Sequence, residues 1–183
     1  MIRVLDIFFS IIGLIIFFPL ILIITILGWV DTRSPLFYQK RVGINKKVFL
    51  LVKFRTMQLK TTSVGTHLVD KSLITPIGHF LRLTKIDELP QLLNVLNGDM
   101  SLVGPRPCLI NQKELIVERY KCGVYKVLPG ITGLSQLKGI NMSTPILLAK
   151  TDRTMIKKMN SMNYLYYILL TIFSILRLNF FIR

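Results

Sequence analysis

Hydrophobic and polar residues fall into a few long blocks along this chain. Between Asp6 and Asp31 lie 24 uncharged residues, Ile7 to Val30, nearly all Ile, Leu, Phe or Val. As a straight helix this run would measure roughly 36 Å, enough to cross the hydrocarbon core of a bilayer. It is too long for the apolar part of a cleaved signal peptide, and no small-residue cleavage site follows it. Pro19 in its middle removes a backbone hydrogen bond and predicts a bend. Cations flank both sides, Arg3 before it and Arg33, Lys40, Arg41, Lys46 and Lys47 after it, and such flanks favour the cytoplasmic face. From these residues alone, a spanning helix with a tolerated proline and a helix that enters and turns back both stay open.

Beyond the apolar block the period shortens. Ser34 to Met57 carries short apolar and aromatic runs separated by Gly43 and Asn45, which predicts a small β-hairpin turning between Gly43 and Lys47. Thr61 to Thr75 reads as a loop. Leu81 to Leu96 has the apolar spacing of a helix, with Asn97 and Gly98 as its stop. A turn-rich stretch follows, with Gly104, Pro105, Arg106 and Pro107, then a short helical segment, then Pro129 to Gly133. Proline-stiffened, glycine-opened loops of this kind often carry sites. The last apolar run, Met159 to Leu176, holds Tyr164, Tyr166 and Tyr167 and is expected to lie partly in the membrane interface or to pack on the first helix. At 183 residues the chain is read as one functional unit, with residues 1–30 as a membrane anchor and 31–183 as the catalytic region ending in a membrane-associated helix.

Composition narrows the classes. Hydrophobic residues make up 51% of the chain, the mean hydropathy is +0.54, and 24 Lys plus Arg stand against 9 Asp plus Glu, a net charge of +15. Disorder is excluded, because it requires low hydrophobicity with high charge. An ordinary cytosolic globule fits poorly as well. A basic, apolar protein suits an anionic membrane surface or phosphate-bearing substrates held near one. Nucleic acid is not expected as a partner, since it gives no reason for the apolar terminus. Cys108 and Cys122 lack a zinc spacing and read as reduced structural thiols, and His67 and His79 cannot build a metal site by themselves.

Of the nine carboxylates only Asp87 and Glu88 are adjacent, at the expected start of a helix in Thr84 to Gln91. Capping would explain both residues there, so spacing leaves a structural and a catalytic role open. Nearby Arg82, Lys85 and Arg106 would keep such an Asp ionised, available as a nucleophile or a metal ligand. Attack of a carboxylate on a phosphate ester requires screening by Mg²⁺ and Arg, and gives an acyl phosphate. Arg106, between Pro105 and Pro107, offers a guanidinium fork on a stiff backbone, with an ordinary arginine at an exposed turn as an equal reading. Lys53 and Arg55 would share one face of a strand, where a merely solvated face or a lipid headgroup contact is the favoured reading on the residues alone.

Taken in order, the residues resemble a known family. An apolar helix with a central Pro19 is followed by Gln39, Arg41 and Gly43, then Lys53 to Met57, then Asp87, Glu88, Leu89, Pro90 and Gln91. Asn94 to Leu96, Gly98 to Pro107 and Pro129 to Gly133 complete the series. This set resembles the bacterial sugar transferases that are monotopic phosphoglycosyl transferases, across nearly the whole chain and in their minimal catalytic form. The resemblance implies transfer of a sugar 1-phosphate from a UDP-sugar to polyprenyl phosphate with release of UMP, the first step in assembling a glycoconjugate. It implies Asp87 as the nucleophile, Glu88 as its partner, both as Mg²⁺ ligands, and Arg82 and Arg106 as phosphate clamps. Lys53, Arg55, Pro105, Pro107 and Thr132 join them as expected substrate-binding residues. The fold implied is α+β and mostly helical: a monotopic membrane protein with a re-entrant helix broken at Phe18 and Pro19, a small β-hairpin and amphipathic interfacial helices.

The implied setting is the cytoplasmic face of the bacterial inner membrane among membrane lipids, with homodimerisation left open. Phe18 stands where the family usually has Ser, so the hydroxyl that would take up a freed carbonyl at the bend is missing. Met155, Lys158 and Tyr164 also depart from the family pattern, and sugar recognition by that segment is not carried over. Two other classes compete: a non-catalytic adaptor for anionic lipid, indifferent to Asp87, and a glycosyl transferase that would release UDP.

Overall fold

A computed structural model describes residues 1–59 and 71–180. Most of the expected loop at 61–75 therefore lies outside the described residues. The first element, α1 (Ile2–Thr32), is one continuous 31-residue helix that carries Pro19 inside it. It is long and apolar enough to cross a membrane. It ends at Arg33, left-handed at φ 54°, whose N–H bonds the Trp29 carbonyl.

One side of α1 is seated on the rest of the protein along its length. Asp6 is buried against the strand at Ser101, a Cβ at Gly13 would stand 3.1 Å from Leu92, and Ile24 packs on Phe54 and Leu81. The other side, with Phe8, Ile15, Ile16, Phe18, Ile23 and Trp29, is exposed. That is an apolar surface far larger than a soluble monomer leaves bare.

The hairpin forms as the alternation predicts. Strand β1 (Leu36–Val42) pairs antiparallel with β2 (Val48–Phe54), through a turn at Ile44–Lys46. The register sets Phe37 opposite Lys53, Gln39 opposite Leu51 and Arg41 opposite Phe49, so these six share the inner face. Phe49 and Leu51 pack there on Val95 and Met100, both fully buried. The free edge of β2 is closed by a side chain: Asn94 accepts from the Val52 N–H at 3.0 Å and donates to the Leu50 carbonyl at 2.8 Å, as a neighbouring strand would.

The single helix expected over 81–96 is two helices. α2 (Pro76–Thr84) is capped by Thr75, whose hydroxyl accepts the Gly78 N–H, and α3 (Gln91–Asn97) stops at Gly98 with φ 85°. Between them Lys85 is left-handed at φ 61° and Ile86–Glu88 form a 3₁₀ turn. Pro90 lacks the N–H that a continuous helix would need. The two helices serve different parts of the core: Leu81 of α2 packs with Ile24 and Phe54, and Val95 of α3 with Phe49, Leu51 and Met100.

The turn-rich stretch contains more strand than its sequence announces. β3 (Ser101–Val103) and β4 (Cys108–Leu109) flank the Gly104–Pro107 turn; β4 pairs with β1, while β3 pairs in parallel with β5 (Gly130–Thr132). The remaining α-helices among the described residues are α4 (Lys113–Lys121), α5 (Leu134–Leu137), α6 (Pro145–Lys157) and α7 (Ser161–Phe180). α7 packs on the start of α1, as expected for the last apolar run. Tyr164 is fully buried there and donates to Asp6 Oδ1 at 2.7 Å; the same oxygen accepts from the Ser101 hydroxyl and the Leu102 N–H, each at 2.8 Å. Both cysteines are free thiols.

Candidate active site

The break between α2 and α3 is what presents the two carboxylates. On a three-residue turn, neighbouring side chains project roughly 120° apart. Glu88 accordingly meets Arg106, with Nη2 to Oε1 at 2.5 Å. Asp87 is buried, 6% exposed, and its Oδ1 has no hydrogen-bond partner among the described residues. Burial of a polar atom in that condition is costly unless something arrives to satisfy it.

Cations surround this oxygen. Lys53, on the inner face of the hairpin, acts on both carboxylates, and its Nζ lies 5.5 Å from the Phe37 ring centre. Burial pulls the Lys53 ammonium down to about 8, against the opposing pull of Asp87. Burial and the neighbouring charge of Arg106 bring Arg41 down to about 10. Arg82 reaches Thr56, Nε to Oγ1 at 2.8 Å, and also senses the charge of Asp87.

The two acids have been driven apart. Burial, and then the negative charge of Glu88, push Asp87 up to about 6, although Lys53, Lys85 and Arg106 pull it down. Glu88 is also pushed up by burial, but the charge and hydrogen bond of Arg106, helped by Lys85 and Lys53, more than offset this and hold it below its ordinary range. One carboxylate is committed to an arginine and the other is free, a division of roles set by environment.

The Arg106 turn is gripped from behind. The Gly130 N–H donates to the Pro105 carbonyl at 2.9 Å, Arg119 Nη1 to the Arg106 carbonyl at 2.7 Å, and Arg41 Nη1 to the Pro107 carbonyl at 2.9 Å. Gly104 and Gly130 allow this approach: a Cβ on Gly130 would fall 2.0 Å from the Gly104 nitrogen. Pro105 and Pro107 thus frame the arginine.

Of the expected site residues, the structure groups Asp87, Glu88, Lys53, Arg82 and Arg106, with Pro105 and Pro107 as their frame. Two stand elsewhere. Arg55 donates from Nε to the Ser34 carbonyl at 2.8 Å and from Nη2 to the Leu36 carbonyl at 3.2 Å, tying the end of α1 to the hairpin. Thr132 is buried in β5, with its hydroxyl 2.6 Å from that of Thr171 on α7. Arg41 enters the sequence reading only as a flanking cation and a member of the family series, with no place at the site, although strand alternation could have set it beside Lys53; for Arg119 no local signal exists.

A metal would find two adjacent carboxylates here; among the described residues there is no group of three or more His, Cys, Asp or Glu. Hard oxygen donors, one of them the unpartnered Asp87 Oδ1, are of the kind that suits Mg²⁺. The surrounding cations Lys53, Lys85 and Arg106 oppose a bare metal ion and favour one already paired with an anion.

Comparison with known proteins gives a consistent result. The family described as bacterial sugar transferase matches residues 1–178. The exopolysaccharide production protein PSS of Rhizobium leguminosarum bv. phaseoli is 36% identical over 177 residues, 91% of this chain and 84% of the relative. The sugar transferase EpsL of Bacillus subtilis (strain 168), itself uncharacterized, is 49% identical over 109 residues, 59% of this chain and 54% of the relative. A UDP-glucose:undecaprenyl-phosphate glucose-1-phosphate transferase of Caulobacter vibrioides is 37% identical over 147 residues, 78% of this chain and 55% of the relative. The alignments thus span only about half the length of some curated relatives.

Proposed function

The chain belongs to the bacterial sugar transferase family, and on that premise we propose that it moves a sugar 1-phosphate from a UDP-sugar to polyprenyl phosphate through a phosphorylated Asp87. The unpartnered, buried Oδ1 of Asp87 carries this reading. In the first half-reaction Oδ1 attacks the phosphorus that bears the sugar. The bond from that phosphorus to the bridging oxygen breaks, and UMP leaves with that oxygen. In the second, a phosphate oxygen of the polyprenyl phosphate attacks the same phosphorus and returns the electron pair of the acyl phosphate bond to Asp87. The product is a polyprenyl diphosphate sugar.

The chain's own cations supply most of the setting. Lys53, Arg82 and Arg106 converge on the carboxylates and hold the diphosphate oxygens, whose charge would otherwise repel Asp87. Arg106 presents its fork to the donor while Glu88 fixes the other side of the guanidinium. Asp87 and Glu88 would hold Mg²⁺, which when bound neutralises phosphate oxygens and polarises phosphorus.

The anchor places this chemistry at the bilayer. We read α1 as re-entrant, bending at Phe18 and Pro19, with both ends on the cytoplasmic face of the inner membrane. Contacts near both ends support this: Asp6 on β3 and Ile24 on Phe54 and Leu81 tie the helix to the same body, which a helix crossing to the far side would leave. The exposed apolar side of α1 then meets lipid.

The test is to supply UDP-sugar labelled at the sugar-bearing phosphate, without acceptor, to detergent-solubilised protein. One equivalent of UMP and a label on the peptide containing Asp87, absent from Asp87→Asn, is the expected result. Release of UDP, or full turnover with no labelled peptide, overturns the reading.

A further inference from the structure

Behind the Arg106 turn lies a buried polar chain that touches no reacting atom. Arg119, on α4, is 1% exposed and Asp152, on α6, is fully buried. They form an ion pair in which Nε donates to Oδ2 at 3.0 Å and Nη2 lies 2.7 Å from the same oxygen. The other carboxylate oxygen of Asp152 accepts from the Ser135 hydroxyl at 2.6 Å, and Ser135 is the second residue of α5, just past the Pro129 to Gly133 segment. The remaining arm of Arg119 donates to the Arg106 carbonyl at 2.7 Å. Four parts of the fold, α5, α6, α4 and the turn, are thereby joined in one line that ends at the guanidinium on Glu88.

A core of this size could fill the same space with apolar side chains, often with no loss of stability, so the ion pair is not needed for folding strength alone. What apolar side chains could not supply is a donor to the Arg106 carbonyl. That carbonyl faces the interior between two prolines and has few other ways to be satisfied. We propose that Ser135, Asp152 and Arg119 are positioning residues for Arg106: they fix the backbone of its turn, and through it the direction in which the fork meets the donor diphosphate. This rests on the function proposed above for the same site. Arg119 is suited to the task because a guanidinium can hold a carboxylate and a carbonyl at once in one plane. Lysine, a point charge on a flexible stem, cannot hold both in that geometry.

The experiment is a double-mutant cycle on the full chain in detergent. Arg119→Lys is expected to lower kcat for UMP release by roughly a hundredfold, the scale of a misplacement of about 1 Å, with KM for the UDP-sugar changed far less. In an Arg106→Ala background the same substitution should cost almost nothing further, since the group it positions is gone. A purely structural role would cost the same in both backgrounds, and that result overturns the proposal, as does unchanged kcat in the single variant. If Arg119→Lys does not fold, Ser135→Ala, which removes only the far end of the chain, takes its place in the cycle with a smaller expected loss. Phenylglyoxal labelling gives a readout without turnover: Arg106 is 40% exposed at its side chain, and its modification should accelerate several-fold when Arg119 is replaced. Wild type releasing no UMP while labelling still accelerates defeats the functional reading and leaves the positioning intact; unchanged labelling defeats the positioning.

Discussion

Arg106 closes on Glu88 at 2.5 Å, and the residue beside Glu88, Asp87, keeps a carboxylate oxygen with no partner. The pairing divides the acids between two jobs and orients the cation that a diphosphate would meet.

Glu88→Gln is expected to loosen Arg106 and lower kcat by about 10² to 10³, the range seen when one charge-stabilising group is lost. Removing the Glu88 charge also takes away one cause of the raised Asp87 value, so the acid limb of the remaining activity should move to lower pH. A pH series of UMP release for both proteins checks this.

Two groups set the pH range. Asp87 acts as the anion and stands at about 6, so kcat/KM for the donor should rise through pH 6. Lys53 acts as the cation and stands at about 8, so the same parameter should fall above pH 8. Stability moves the other way on the alkaline side. Lys53 is lowered from its ordinary 10.5, so between pH 8 and that value the unfolded chain binds more protons and this group makes the fold more stable as pH rises. Loss of activity without unfolding above pH 8, with Lys53→Arg extending the active range upward, is the expected pattern.

Two glycines separate by what surrounds them. Gly130→Ala would drive a Cβ to 2.0 Å from the Gly104 backbone and should give no folded protein. Gly139 has φ 67° with nothing within 4 Å, and Gly139→Ala should cost only about 1 kcal/mol of left-handed strain. Thermal unfolding in detergent distinguishes them.

Tyr164→Phe removes one of three donors to Asp6 Oδ1 and leaves the others in place. The expected loss is about 1 kcal/mol, typical of one intramolecular hydrogen bond. It should appear as a lower unfolding midpoint, with the pH profile of activity unchanged.

Chelation of divalent metal should abolish UMP release, and added Mg²⁺ should restore it. Because the site is crowded with cations, Mg²⁺ alone should shift the unfolding midpoint less than Mg²⁺ with UDP-sugar. An equal shift from the metal alone would show that the carboxylates bind it unaided.

Much of this protein is written in local sequence. The uncharged run from Ile7 to Val30 fixes a long apolar helix by length alone, and the alternation around Gly43 fixes the hairpin, because helix and strand periods depend on near neighbours. Asp87 and Glu88 stand out as the one adjacent acidic pair in a basic chain. Tertiary structure decided the rest. Lys85 and Pro90 break a helix whose apolar spacing gives no warning, and that break sends Asp87 and Glu88 to different partners. Arg55 and Arg82 are alike as sequence, yet one braces the hairpin and the other joins the site. Arg119 and Asp152 meet across 33 positions. A charge acquires its role from the group opposite it, and in this fold those groups come from distant stretches of chain that only the packed core brings together.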